Sequence, residues 1–409
     1  MRRLHLLLVA QLAIVASVFA GCASCNSSSG PGEGPGVDSG PMVDVTTSDS
    51  PATGEDGGAD ARVEAAYDTG SPRDATEEVG VDATAPGDAA SDVVADSPSP
   101  DAALEAGREA GLEAGALTEF PIPTNTSNPL GIAAGADGNL WFCEQMANNI
   151  GMITTAGVIT EYPVPTASSY PTQIAAGPDG NLWFTEGVGN NIGRIATGVD
   201  GGVAGTITEF PLPVANRVPF AIALGPDDNL WFTEVTGNNI GRMTLAGVVT
   251  EFPVPTPTCQ LVGITAGPDG NLWFAERAGA NIGLITPTGA ITEFMVATDP
   301  SGIVSGPDGN LWFNGEVGNN VGKITTAGVS TLYPIPTASA GAYAGITLGP
   351  DDNLWFAERT GNNIGRITTV GTITEFPAIN SGPWGIARGS DGNLWFTESA
   401  SNNIGRIAP

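Results

Sequence analysis

From residue 117 onward, apolar residues fall in short alternating runs, each closed by a break rich in Gly, Asp and Asn. Alternation over a handful of residues, bounded by turn formers, predicts half-buried β-strands. The unit Ala221 to Pro255 shows the grammar. Ala221-Ile222-Ala223-Leu224 is a small, apolar first strand, and Gly225-Pro226-Asp227-Asp228 has the composition of a turn. Asn229 to Glu234 is a second strand carrying Trp231-Phe232, and Thr236 to Asn239 a second turn. Ile240 to Thr244 makes a third strand. Val248 to Pro255 makes a fourth, with proline where an outer edge tolerates it. Trp-Phe recurs seven times, at Trp141, Trp183, Trp231, Trp273, Trp312, Trp355 and Trp395, spaced by 39 to 48 residues. A period of about 40 residues built from short strands means a propeller or a solenoid.

Four strands joined by hairpin turns make one propeller blade. The pattern therefore predicts an all-β fold, a seven-bladed β-propeller of four-stranded blades, with a β-helical solenoid as the alternative. The small first strand belongs near the crowded axis. Trp and Phe of the second strand face opposite ways, so each blade can pack against both neighbours. The fourth-strand motif occurs first alone, as Leu117-Thr118-Glu119-Phe120-Pro121, and the last unit, Gly385 to Pro409, has only three strands. The N-terminal strand is thus expected to complete the last blade and remove the free sheet edge.

Antiparallel pairing brings the start of each inner strand and the end of each second strand to one end of the blade. One mouth of the central channel should then be ringed by Leu130, Thr172, Phe220, Val262, Ser301, Ala344 and Trp384. Glu144, Glu186, Glu234, Glu276, Glu358 and Glu398 should lie near it. Blade five breaks the series with Gly315, and Glu316 is shifted by one. A carboxylate rim binding a cation is one reading of this ring. The other, favoured for a residue that repeats, is that each Glu satisfies donors between blades.

The chain before the repeats is different in kind. Residues 1–21 read as a signal peptide, with Arg2 and Arg3 ahead of an apolar run too short to span a bilayer. The run ends in Phe19-Ala20-Gly21-Cys22, which resembles a lipobox. Cys22 is then the expected lipid anchor, with cleavage after Ala20 as the alternative. The resemblance implies secretion across the inner membrane, with the outer membrane or the exterior as the address. Residues 22–116 read as a disordered acidic stalk. From Asn26 on it has 20 acidic side chains against Arg62, Arg73 and Arg108, and one aromatic, Tyr67. Too little apolar surface is available there to offset chain entropy. Residues 117–409 form the folded domain. Cys143 and Cys259 fall in blades one and four, too far apart for a disulfide. With a net charge of −30, nucleic acid is not an expected partner. The domain is expected to be a monomer.

The repeated Gly-Pro-Asp-Gly-Asn-Leu-Trp-Phe-Thr-Glu, followed by Asn-Asn-Ile-Gly-Arg-Ile and Ile-Thr-Glu-Phe-Pro-Leu-Pro, resembles the streptogramin lyases (virginiamycin B lyases) over the whole stretch 117–409. The resemblance implies seven blades and an Mg²⁺-dependent elimination that opens a cyclic depsipeptide at its ester. It places the family's base, a histidine, at Trp384, a second histidine at Ala344, a metal carboxylate at Gly382 and an aromatic at Leu130. Only the second metal-linked carboxylate is kept, as Glu398. The single histidine of the chain is His5, inside the signal segment.

Phe220, Tyr343 and Trp384 stand outside the repeat. They could stack on a peptide or sugar, or plug the channel. The seven Gly-(Pro/Ala/Ser)-Asp turns offer too few carboxylates for calcium loops and read as hairpin turns. The sequence thus favours an extracytoplasmic binding module with no catalytic residue assigned. Its ligand-binding candidates are Leu130, Phe220, Tyr343, Trp384 and Glu398, and its partner is a peptide, a glycan or an envelope protein. The alternative is a carbon–oxygen lyase with a re-formed site, in which Glu398 would hold Mg²⁺.

Overall fold

The computed structural model describes residues 115–378 and 381–409. The signal segment and nearly all of the stalk, with Cys22, lie outside the described residues. So do Ile379, Asn380 and the side chain of Ala344.

The first blade is built from β2 (Pro129–Ala134), β3 (Leu140–Glu144), β4 (Asn149–Ile153) and β5 (Ile159–Pro163), paired in that order and all antiparallel. The pattern repeats to give seven four-stranded sheets among the described residues. In the last sheet β26 (Pro383–Arg388), β27 (Leu394–Glu398) and β28 (Asn403–Ile407) are followed by β1 (Leu117–Pro121) from the other end of the domain. Leu117 pairs with Ile407 and Pro121 with Asn403. The seven-bladed propeller and its shared closing blade are therefore as the sequence predicts.

Inner and second strands meet as expected at the mouth, with Pro129 opposite Glu144. A bulge then shifts the register before Ile132 meets Phe142. Blade six differs. On β22 (Ala342–Leu348) Ala342 faces Glu358 and Ile346 faces Phe356, so the bulge holds one residue more. A bulge re-aims side chains locally, and this one carries Tyr343.

Each Trp-Phe pair splits between two interblade cores. Trp141 of blade one packs with Leu182 and Phe184 of blade two. Trp395 of blade seven packs with Leu140 and Phe142 of blade one, which closes the circuit. Fully burying one such side chain stabilises by about 1.5–3 kcal/mol. On the other face of β3, Phe142 lies across Gly151, where a Cβ would come within 2.2 Å of the ring. That contact explains the glycine of Asn-Ile-Gly.

The tryptophans are also held from outside the core. The turn aspartate four residues earlier accepts the indole N–H, as Asp227 does from Trp231 at 2.8 Å. Each indole stacks on the fourth-strand aromatic, Trp231 on Phe252 with centroids 5.6 Å apart. In blades two, three, six and seven a third-strand arginine lies over the indole, as Arg242 does at 5.6 Å, and Lys323 takes that place in blade five. Cation–π contacts of this kind add about 0.5–1 kcal/mol. The Gly-Pro-Asp turns are thus indole anchors.

The first Asn of Asn-Asn-Ile stitches blade to blade. Asn148 adopts φ 60°, a left-handed conformation that Asn tolerates. Its Oδ1 accepts from Ser169 N at 2.7 Å, and its Nδ2 donates to the carbonyls of Val164 and Thr166. Asn402 does the same across the closure, accepting from Ser127 N at 2.7 Å and donating to Ile122 and Thr124.

Deleting residues 115–121 should therefore expose the edge of β28 and unpin this stitch. Calorimetry should show loss of a single cooperative transition or aggregation on heating. An unchanged monomeric transition would contradict the shared-blade closure.

Candidate functional site

Four residues outside the repeat meet at the mouth. Leu130 and Trp384 are each 1% exposed, and Phe220 and Tyr343 are each 5% exposed. Phe220 meets Trp384 edge-on, with centroids 6.4 Å apart, and Tyr343 lies 6.0 Å from it. The sequence brings these residues to one place as expected, and they fill it: the four belong to one apolar cluster with Val262. Below lies a channel cavity of about 160 Å³, lined by Ile132, Ile222, Ile264, Ile303, Ile346 and Ile386, with Gln173 entering from blade two. Burial pushes the Tyr343 hydroxyl well above its ordinary value, against the opposing pull of Arg277. Arg277 lies over the Tyr343 ring at 5.1 Å and pairs with Glu316 at 2.6 Å. The one-residue shift of Glu316 in blade five thus serves an ion pair between blades four and five.

Glu398 belongs to a different set. It ends β27, is fully buried, and accepts from Ser401 Oγ at 3.0 Å. Burial first, and then the neighbouring Glu119, raise it to about 7. Five other blades repeat the arrangement. Glu144, Glu186, Glu234, Glu276 and Glu358 are all 0% exposed, and each lies beside the glutamate of its own fourth strand: Glu161, Glu209, Glu251, Glu293 and Glu375. Burial raises Glu144 to about 8 and the other four to about 7. The second Asn of Asn-Asn-Ile donates to Glu186, Glu234, Glu276 and Glu358, as Asn191 does to Glu186 at 2.9 Å.

Sequence reasoning missed the fourth-strand partners. A signal was present. Glu144, Glu161 and Asn149 occupy positions of one parity across paired strands, so they share a face. Blade five loses both members together, as Gly315 and Leu332. Blade three replaces the threonine of Pro-Thr by Val214 and brings Arg217 instead, bonded to Glu251 and 3.4 Å from Glu234.

A magnesium ion does not fit these donors. Glu398 turns to Glu119 and Ser401, Gly382 offers no side-chain oxygen, and no group of three His, Cys, Asp or Glu among the described residues could hold a metal ion. Mg²⁺ prefers octahedral oxygen ligation, which the buried Glu398 carboxyl and the exposed Glu119 beside it do not offer. Cys143 and Cys259 are buried and unbridged.

The profile of the Virginiamycin B lyase family matches residues 105–260 and 202–409. A curated virginiamycin B lyase from Bacillus licheniformis is 47% identical over 38 residues, a match spanning 9% of this chain and only 13% of that relative. Among solved structures, a streptogramin B lyase is 38% identical with a TM-score of 0.67, over 71% of this chain and 97% of its own. Virginiamycin B lyase from Staphylococcus aureus gives 38% and 0.67, over 72% and 99%. A catalytically inactive histidine-to-alanine variant of that enzyme, with quinupristin, is 37% identical with the same TM-score and the same coverage. The chain belongs to the virginiamycin B lyase family.

Proposed function

We propose that this chain is an extracytoplasmic propeller of the family that works as a binding or interaction module and does not open streptogramin rings. One observation carries the reading. The position where the resemblance places the base is Trp384, which has no lone pair for a proton and is buried against Phe220 and Tyr343. No histidine occurs after His5. The loss of one histidine leaves the Staphylococcus aureus relative catalytically inactive. General-base catalysis contributes about 10²–10⁴-fold.

A partner would then meet the loops around the closed mouth, where Met146 is 60% and Val317 is 76% exposed. A peptide, a glycan or an envelope protein suits such a face. Cys22 would tether the module to the outer membrane. The rival reading, a lyase built on Glu398, gains nothing from the Glu398–Glu119 pair, because five other blades hold the same pair.

Two tests follow. Purified protein with Mg²⁺ should not linearise a streptogramin B antibiotic above background, followed by chromatography of the ring-opened product. Ring opening that disappears in Glu398→Gln would establish the lyase instead. In cells, Cys22→Ser should move the protein from the membrane fraction to the soluble fraction. An unchanged distribution would remove the lipid anchor from the account.

A further inference from the structure

The geometry of the buried glutamates points to stored protons. We propose that in blades one, two, four and six the second-strand glutamate is protonated below neutral pH and donates its O–H to the fourth-strand carboxylate, so that the ring carries a set of proton-sharing carboxyl pairs whose contribution to stability is full in acid and is lost as pH rises through neutral into alkali.

Three observations carry this. First, the donors are unequally divided. The outer member accepts from the next-lying threonine: Thr124 N to Glu161 at 3.0 Å, Thr166 N to Glu209 at 2.8 Å, Thr256 N to Glu293 at 2.9 Å and Thr337 N to Glu375 at 2.9 Å. Threonine Oγ1 adds a second bond in the first three. The inner member has one amide on Oε2 in blades two, four and six, from Asn191, Asn281 and Asn363. Its Oε1 meets no donor, and in Glu144 neither oxygen has one. A fully buried carboxylate oxygen without a donor is costly, whereas a carboxylic acid O–H beside an acceptor satisfies both groups.

Second, the two members stand or fall together. Blade five, the one blade whose second strand lacks the glutamate, has Leu332 in place of the outer one. A lone buried carboxylate is what that joint loss avoids. Third, blade three answers the same crowding differently. With Val214 in place of threonine, Arg217 supplies a cation to both Glu234 and Glu251. The four proposed pairs contain no such cation.

The groups facing each pair are few. Glu144 meets Glu161 and Asn149, and Glu186 meets Glu209, Asn191 and Ser169. Cys143 lies within the field of both Glu144 and Glu186. Glu276 meets Glu293, Asn281 and Cys259, whose thiol is pushed up to about 12, first by burial and then by Glu276. Glu358 meets Glu375 and Asn363. Among the described residues no ion pair joins a lysine or arginine to these four glutamates, whereas Arg217 pairs with Glu234.

The sign follows from linkage. An unfolded glutamate titrates near about 4.3, so between that value and about 7 the folded chain holds more protons than the unfolded one. The contribution to stability is complete below the unfolded value and is lost as pH rises through about 7, or about 8 for Glu144. Glutamine keeps the shape and the donor of a protonated glutamate but cannot ionise.

The experiment compares the full chain with Glu186→Gln and Glu358→Gln by thermal melting across pH. Each variant should melt with its parent at about pH 4, below the unfolded value, and above it by a few degrees at about pH 8.5, where the parent has ionised the inner glutamate. A variant that melts below its parent at about pH 8.5 would show that the ionised carboxylate is needed and would overturn the proposal. If a variant does not fold, infrared spectroscopy of the unmodified protein decides. A carboxylic acid C=O band should persist at about pH 6, well above the ordinary range for exposed glutamate, and its absence there would equally refute the proton-sharing pairs.

Discussion

The structure depends on one contact made seven times: the tryptophan of each blade enters the core that the next blade's leucine and phenylalanine form. An isolated four-stranded sheet with two apolar faces cannot stand in water, and here each face is covered only by its neighbour. The circuit has no first or last member, because Trp395 meets Phe142. Closure through β1 and the Asn402 stitch is therefore part of the same constraint. So is the asymmetry of the blade faces. One face carries the indole, its aspartate, its arginine and its stacked aromatic. The other carries the phenylalanine over glycine and the paired glutamates.

That division sorts the residues by role. Nearly every polar residue of the repeat is engaged in the ring: turn aspartates on indole N–H groups, first asparagines on the next blade, second asparagines on the buried glutamates. What remains for a function peculiar to this chain is the small set outside the repeat. Leu130, Phe220, Tyr343 and Trp384 share the mouth, and the extra residue in β22 gives Tyr343 its place there. Where the family's chemistry would need polar and metal-binding groups, this set supplies apolar surface.

Much of this was legible in the sequence, for physical reasons. Strand alternation gives facing, turn residues give hairpins, and a solitary fourth-strand motif at the start gives closure. Hence blade number, the inner strand and the neighbours of Trp and Phe all followed from the residues. Distances did not follow. Glu398 stands in the sequence where the resemblance implies a metal carboxylate, while the charged group beside it, Glu119, lies at the other end of the folded domain's sequence. The aspartate of the turn was recognised as turn chemistry, but its indole partner needs the bend of the hairpin to come within reach. The aromatics of the mouth come from blades three, six and seven, and alternation within a strand says nothing about whether such side chains meet.

The interblade constraint can be tested directly on the full chain, because all eight tryptophans lie in the ring. Equilibrium unfolding in urea should be followed in one sample by indole fluorescence and by far-ultraviolet circular dichroism. If the seven cores support one another around a closed circuit, indole environment and strand content should be lost in one coincident transition. Separated midpoints, with some indoles exposed while the strands persist, would show that blades stand without their neighbours and would contradict the account.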